Sequence, residues 1–158
     1  MNAMVLTRRA SGRLDAIARD LPATGDSDAL IRVHACAVCR TDLHVIDGEL
    51  PDVTVPVVPG HQIVGTIERL GAQTTGLALG DRIGVPWLGW TCGRCEYCTS
   101  GRENLCPKAR YTGCHIDGRF AEYAAADARY VFKLPERYGD AEVAPLLCGG
   151  LIGYRAYA

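Results

Sequence analysis

The stretch Val38-Cys39-Arg40-Thr41-Asp42-Leu43-His44 places a thiol, a hydroxyl, a carboxylate and an imidazole close together in the chain. Thiolates and imidazoles are the usual zinc ligands, and a carboxylate often orients a ligating imidazole. His61 follows a proline-rich loop and is a candidate second ligand. The stretch therefore predicts a metal site at Cys39, with one position left open for chemistry if a third ligand comes from far away.

The segments on either side of Cys39 have clear local signals. Thr41 or Asp42 can cap a short helix that runs to Asp47, and Gly48 can end it. Residues 49–60 contain three prolines, which remove backbone donors and predict a stiff loop. Cys148, beside two glycines, is the candidate third ligand. The alternatives stay open at this point, because a buried cysteine or a lone histidine is often purely structural.

The rest of the chain predicts a mainly β (α+β) fold with short helices. Residues 140–148 favour a helix despite Pro145, and 14–20 could form a single helical turn. The 18 glycines and 8 prolines agree with a barrel-like domain that has many tight turns. Short runs rich in β-branched and apolar residues predict strands, and they cover residues 4–7, 29–36, 63–70, 81–86, 119–124 and 130–134.

Composition excludes several function classes. The 17 basic and 18 acidic residues nearly cancel and form no runs, which predicts neither a nucleic-acid nor a membrane partner. No apolar stretch is long enough to span a bilayer, and no signal-peptide core follows Met1, so we expect a cytoplasmic protein that binds a small molecule. In that reducing compartment the eight cysteines are better explained as metal ligands or nucleophiles than as disulfides.

The most specific motif is Cys92-x2-Cys95-x2-Cys98-x7-Cys106, in a lobe at about residues 91–107. Four thiolates at this spacing predict a closed, tetrahedral structural zinc site. An iron–sulfur cluster is the main alternative, because Pro107 follows the last cysteine as in ferredoxins, although the ferredoxin gap is three residues. Paired disulfides or a redox-active Cys-x-x-Cys explain the four cysteines less well.

Together these motifs resemble the zinc-dependent medium-chain alcohol dehydrogenases. The resemblance runs through nearly the whole chain and follows the family's order. The matching segments are Cys-Arg-Thr-Asp-Leu-His at 39–44, Pro-Gly-His-Gln at 59–62, Gly-Asp-Arg-Ile-Gly at 80–84, the four-cysteine lobe, Asp-Gly-Arg-Phe-Ala-Glu-Tyr at 117–123 and Cys-Gly-Gly-Leu-Ile-Gly-Tyr at 148–154.

The resemblance implies a GroES-like catalytic domain, a partly open β-barrel, at residues 1–150. Residues 151–158 would begin the link to a Rossmann domain. It also implies an activity, the interconversion of an alcohol and an aldehyde or ketone by hydride transfer to NAD or NADP, and a homo-oligomeric enzyme, dimer or tetramer. Two zinc ions per chain would be bound, a catalytic one by Cys39, His61 and Cys148 and a structural one by Cys92, Cys95, Cys98 and Cys106.

The resemblance assigns further roles within the site. Thr41 would bond the substrate oxygen and start a proton relay that reaches solvent at His44, and Asp42 would orient His61. Arg40 would pair with the cofactor pyrophosphate, and Trp87 would narrow the pocket towards small alcohols. Taken without the resemblance, helix capping explains Thr41 and Asp42, and core packing explains Trp87.

The chain departs from the family pattern in two places. Gln62 replaces the usual glutamate after the ligand histidine and cannot act as an anionic ligand. No G-x-G-x-x-G nucleotide fingerprint occurs and the sequence stops within an apolar run, so we expect a truncated chain that is inactive alone. Cys36 and Cys114 are expected to be plain thiols. The alternatives are a zinc-stabilised structural or interaction domain without catalysis, and a polyol dehydrogenase of the same superfamily.

Overall fold

The computed structural model describes residues 1–158, which form a mainly β domain with short helices. The helices are α1 (Arg40–Asp47), α2 (Glu96–Thr99), α3 (Asp140–Val143) and α4 (Gly149–Tyr157), and no helix has the length and apolar character needed to span a bilayer. The strands are β1 (Asn2–Val5), β2 (Asp15–Ala18), β3 (Asp28–Ala37), β4 (Gln62–Leu70), β5 (Arg82–Val85), β6 (Leu88–Trp90), β7 (Arg110–Tyr111), β8 (Tyr123–Asp127) and β9 (Phe132–Lys133).

The central sheet is antiparallel, with the strand order β8-β3-β4-β5-β9. Two small two-stranded sheets, β1 with β2 and β6 with β7, accompany it, and the strands do not close into a complete barrel. Apolar side chains on one face of the central sheet make the largest core cluster, including Ile31, Ile63 and Ile83, which are fully buried. The predicted mainly β class, with a barrel that is not closed, is confirmed.

The pairing of β3 with β4 brings two distant parts of the sequence together. Ala37, at the end of β3, lies opposite Gln62, at the start of β4. The chain leaves β3 into α1 and returns through the proline-rich loop to enter β4. The start of α1 and the residue before β4 are therefore neighbours, although about twenty residues separate them.

Several predicted elements differ in the structure. Residues 15–18, which we expected to form a helical turn, are strand β2, because they pair with β1 at the positions Asn2 to Val5. The predicted strand at 119–124 is displaced to β8, because the backbone N–H groups of Arg119 and Phe120 donate to loop carbonyls of Gly60 and Pro59. Those donors are then unavailable to a sheet ladder.

The last predicted strand is also shorter than expected. Tyr130 ends a 3-10 turn (Ala128–Tyr130), where the Asp127 side chain accepts the backbone N–H of Arg129. Only Phe132 and Lys133 then pair with β5. Strands β6 and β7 were not predicted, because runs of two or three residues carry no periodic signal. Helix α4 runs across the predicted boundary between residues 150 and 151.

Candidate metal centres

Three chain segments converge on one point beside the central sheet. Cys39 precedes the first residue of α1, His61 precedes β4, and Cys148 lies between the 3-10 turn Ala144–Leu147 and α4. The ligand atoms of these three residues lie within 4.8 Å of one another. Leu147 and Val143 pack against Val64 of β4, and this contact brings the Cys148 segment to the site.

The buried imidazole of His61 is oriented by a carboxylate. Its Nδ1 lies 2.8 Å from Oδ1 of Asp42, and both side chains are almost completely buried. Asp42 also accepts the backbone N–H of Gly60 (3.2 Å) through Oδ1 and that of Cys39 (2.8 Å) through Oδ2. The Nε2 atom of His61 is buried and has no hydrogen-bond partner. A lone pair on Nε2 is therefore available for a cation.

The donor set fits a tetrahedral zinc ion. The sulfur atoms of Cys39 and Cys148 are 3.8 Å apart, and zinc–sulfur bonds of about 2.3 Å in a tetrahedron require about the same separation. Burial, reinforced by the neighbouring Cys39, raises the pKa of the Cys148 thiol to about 11. A thiolate at this buried position needs a nearby positive charge, which a metal ion supplies. Three protein ligands leave a fourth coordination position.

The other predicted site residues lie around these three ligands. The Thr41 hydroxyl oxygen is 3.7 Å from the sulfur of Cys39. His44, one turn further along α1, is one-third exposed and is hydrogen-bonded through Nδ1 to Glu49. Arg40 is exposed at the start of α1. Thr41 therefore lies beside the candidate ligands and His44 lies towards solvent, and sequence analysis missed Glu49.

The rings of Trp87 and His61 meet edge to face, with their centroids 4.9 Å apart. Trp87 is half-buried and lies directly beside the candidate ligand His61. Gln62, which we singled out as a departure, is buried, and its amide nitrogen donates to the Pro145 carbonyl (3.4 Å). It therefore links β4 to the segment that carries Cys148.

The four-cysteine lobe is a second cluster of ligand atoms, also within 4.8 Å of one another. The sulfur pairs Cys92–Cys98, Cys95–Cys98 and Cys92–Cys106 are 3.9, 3.5 and 3.7 Å apart. These separations leave room for one ion and are far longer than a disulfide bond of about 2.05 Å. The backbone N–H of Arg94 lowers the pKa of Cys92 to about 6, whereas, against the opposing backbone N–H of Cys98, burial and hydrogen bonds to the other thiols raise the pKa of Cys95 to about 11.

Cys36 and Cys114 belong to neither cluster, as predicted. Burial raises the pKa of Cys36 to about 12 and, in the same direction, that of Cys114. Both are therefore unreactive thiols under ordinary conditions. Fold and clusters together define the class of protein: a GroES-like domain with one closed site of four cysteines and one open site of two cysteines and a histidine.

Comparison with known proteins gives the family. Residues 25–136 match the model of the alcohol dehydrogenase GroES-like domain. The chain is 46% identical over 151 residues to the protein described as probable alcohol dehydrogenase AdhA of Mycobacterium tuberculosis, covering 92% of this chain and 44% of that protein. The chain therefore belongs to the alcohol dehydrogenase family with a GroES-like catalytic domain, and it spans less than half the length of this relative.

Solved structures show the same relationship. The cobalt- and zinc-bound thermostable alcohol dehydrogenase of Pyrobaculum aerophilum matches with a TM-score of 0.86 at 28% identity, over 99% of this chain and 48% of that one. The enzyme named CAD of Helicobacter pylori, complexed with NADP(H), matches with a TM-score of 0.88 at 25% identity, over 98% and 47%. The first of these structures holds zinc and the second holds NADP(H), and the sequence resemblance implies both kinds of group.

Proposed function

We propose that this chain is the zinc-holding catalytic domain of an alcohol dehydrogenase, which interconverts an alcohol and an aldehyde or ketone with NAD or NADP. The observation that carries the proposal is the buried Nε2 of His61, which has no partner and lies with two thiols at zinc-binding distances. A purely structural histidine at this depth would have satisfied both of its ring nitrogens. The alcohol dehydrogenase family to which the chain belongs supports the same reaction.

In this proposal Cys39, His61 and Cys148 hold the zinc ion, and Cys92, Cys95, Cys98 and Cys106 hold a second, structural one. The catalytic zinc would supply Lewis-acid polarisation of the substrate oxygen. Asp42 keeps His61 in the tautomer that leaves Nε2 free. Asp42 also accepts the backbone N–H of Cys39, so that one carboxylate orients two ligands.

The proton released from the alcohol needs a route out of the buried site. The Thr41 hydroxyl oxygen lies 3.7 Å from the Cys39 sulfur, and it can pass a proton outward. His44 lies one turn later on the same helix and reaches solvent, where an imidazole can exchange that proton. The cofactor would carry the hydride and would lie against Arg40, whose exposed guanidinium suits a pyrophosphate.

The division of the chain is also part of the proposal. Residues 1–150 would form the catalytic domain, and 151–158 would begin the link to a nucleotide-binding domain. Since these 158 residues contain no dinucleotide fingerprint, we expect no turnover from them alone.

The experiment is alcohol oxidation by the complete protein that carries this chain, measured as NADH or NADPH formation from ethanol and longer primary alcohols. The Cys39→Ser variant should lose activity by at least about a thousandfold, because the zinc loses a ligand. Cys36→Ser is the matched control, since Cys36 lies outside both clusters. Equal activity of wild type and Cys39→Ser would refute the role of this site. Zinc bound without any turnover would favour a structural domain.

A further inference from the structure

A column of four rings leads away from the candidate catalytic site. The Trp87 indole contacts His61 on one side. On the other side the Tyr111 ring stacks on the indole, with a centroid distance of 5.1 Å and an angle of 10° between the ring planes. His115 lies behind Tyr111, with a centroid distance of 5.4 Å and an angle of 39°. Trp87 is thus confined between a metal ligand and a second aromatic ring.

The main chain fixes Tyr111 at this place. Tyr111 pairs with Leu88 across the small β6–β7 sheet, and the next N–H, from Thr112, donates to the Trp87 carbonyl (2.8 Å). His115 holds the Tyr111 backbone with two hydrogen bonds. Its ring Nδ1 accepts the backbone N–H of Tyr111 (3.1 Å), and its backbone N–H donates to the Tyr111 carbonyl (2.9 Å). Tyr111 therefore cannot shift independently of the segment that carries Trp87.

We propose that Tyr111 is a positioning residue that sets the plane of Trp87 and thereby limits the alcohol pocket to small substrates. This inference rests on the proposed function. A nearly parallel stack blocks any tilt of the indole towards Tyr111, and the edge of His61 blocks a tilt in the opposite direction. The Trp87 indole, which forms the pocket wall beside the proposed zinc ligands, is consequently rigid. Tyr111 acts through Trp87 and not through a contact with those ligands.

Removal of the Tyr111 ring would leave a space behind Trp87 into which the indole can tilt. The pocket would then widen on the side of Trp87, while Cys39, His61 and Cys148 keep their places. The proposal therefore predicts an effect on large alcohols and little effect on ethanol. A loss that was equal for all alcohols would instead indicate a merely structural role.

The first test reports on Trp87 without any turnover. The test uses the 158-residue chain, in which Trp90→Phe removes the second tryptophan, an exposed one, so that the emission of this chain comes from Trp87. In this background Tyr111→Leu should increase the acrylamide quenching constant about twofold or more, because the indole loses its cover. Tyr111→Phe should retain the original value. Tyr123→Leu is the matched control, because Tyr123 is a half-buried tyrosine that makes none of these ring contacts.

The second test uses the complete enzyme and the ratio of kcat/KM for benzyl alcohol to that for ethanol. Tyr111→Leu should raise this ratio about tenfold, mainly through a lower KM for benzyl alcohol, and should leave the zinc content unchanged. Tyr111→Phe should stay within twofold of wild type. An unchanged ratio, or equal losses for both alcohols, would overturn the proposal. If wild type oxidises no alcohol, the proposed function fails, and the quenching result still decides whether Tyr111 positions Trp87.

Discussion

The carboxylate of Asp42 and the imidazole of His61 form a fully buried pair, with Oδ1 and Nδ1 2.8 Å apart. The same carboxylate accepts backbone N–H groups from Cys39 and Gly60. Two of these hydrogen bonds, to Gly60 and His61, therefore join α1 to the end of the proline-rich loop, and the third holds Cys39 at the start of α1. This arrangement fixes the geometry of two ligands before any metal binds.

Asp42→Asn should weaken zinc binding at the three-ligand site by about 10- to 100-fold, because an uncharged amide orients His61 less well and supports its basicity less. The measurement is competition with a chelator, followed as zinc release from the folded chain. Asp117→Asn is the matched control: Asp117 also accepts a backbone N–H, from Val58 (2.9 Å), but contacts no candidate ligand. Equal affinities in the two variants would contradict the role of Asp42.

Metal analysis of cysteine variants should distinguish the two sites. We expect two zinc ions per folded wild-type chain, one in Cys39→Ser, and two in Cys114→Ser, which lies outside both clusters. Cys106→Ser should also lose one zinc and unfold at a lower temperature, because a closed four-ligand site contributes directly to folding. Two zinc ions in Cys39→Ser, or absorbance of an iron–sulfur cluster in wild type, would show that the assignment is wrong.

Gly118→Ala should destabilise the fold and disturb the loop that leads to His61. A methyl group at residue 118 would collide with the carbonyl oxygens of Gly60 and Pro59, which are backbone atoms and cannot rotate away. We expect a loss of about 1–3 kcal/mol in the free energy of unfolding, measured with urea. Gly153→Ala is the control, since it meets no atom within 4 Å inside α4 and should be neutral or slightly stabilising.

Stability should depend on pH through His115. Burial, and then the positive charge of Arg110, lower the pKa of His115, while Asp52 acts weakly in the opposite direction. The folded chain therefore binds this proton less readily than the unfolded chain. The contribution of the neutral His115 ring to the free energy of unfolding is complete above the unfolded pKa of about 6.5. This contribution is lost as the pH falls through the lower pKa of the folded chain.

The variant that tests this is His115→Asn, because its side-chain oxygen can still accept the Tyr111 N–H. Urea midpoints at pH 7.5, 6.5 and 5.5 should fall less steeply in the variant than in wild type. Metal release on acidification affects both chains, so the difference between their slopes is the quantity of interest. Parallel slopes would exclude His115 as the source.

Local sequence signals predicted the parts of the fold that depend on residues close together in the chain. The end of α1 followed from Gly48, whose left-handed backbone (φ 77°) ends the helix. At its start the N-cap is Cys39, and of the two predicted capping residues only Asp42 takes part, by accepting the Cys39 backbone N–H. The two-residue gaps of the cysteine lobe likewise predicted one compact cluster. The assignment of segment 15–18 was wrong, because the pairing of β2 with β1 depends on partners at least ten residues away.

The sequence by itself determined which residue types are available, namely seven candidate zinc-ligand side chains in two groups, and the resemblance that connects them to a family. Only the tertiary structure decided how Asp42 acts on both Cys39 and His61, and that Tyr111 and His115 lie behind Trp87. These relationships depend on β3–β4 pairing and on the β6–β7 sheet. Contacts between residues far apart in the chain are fixed by strand register and packing, which no local pattern of residues encodes.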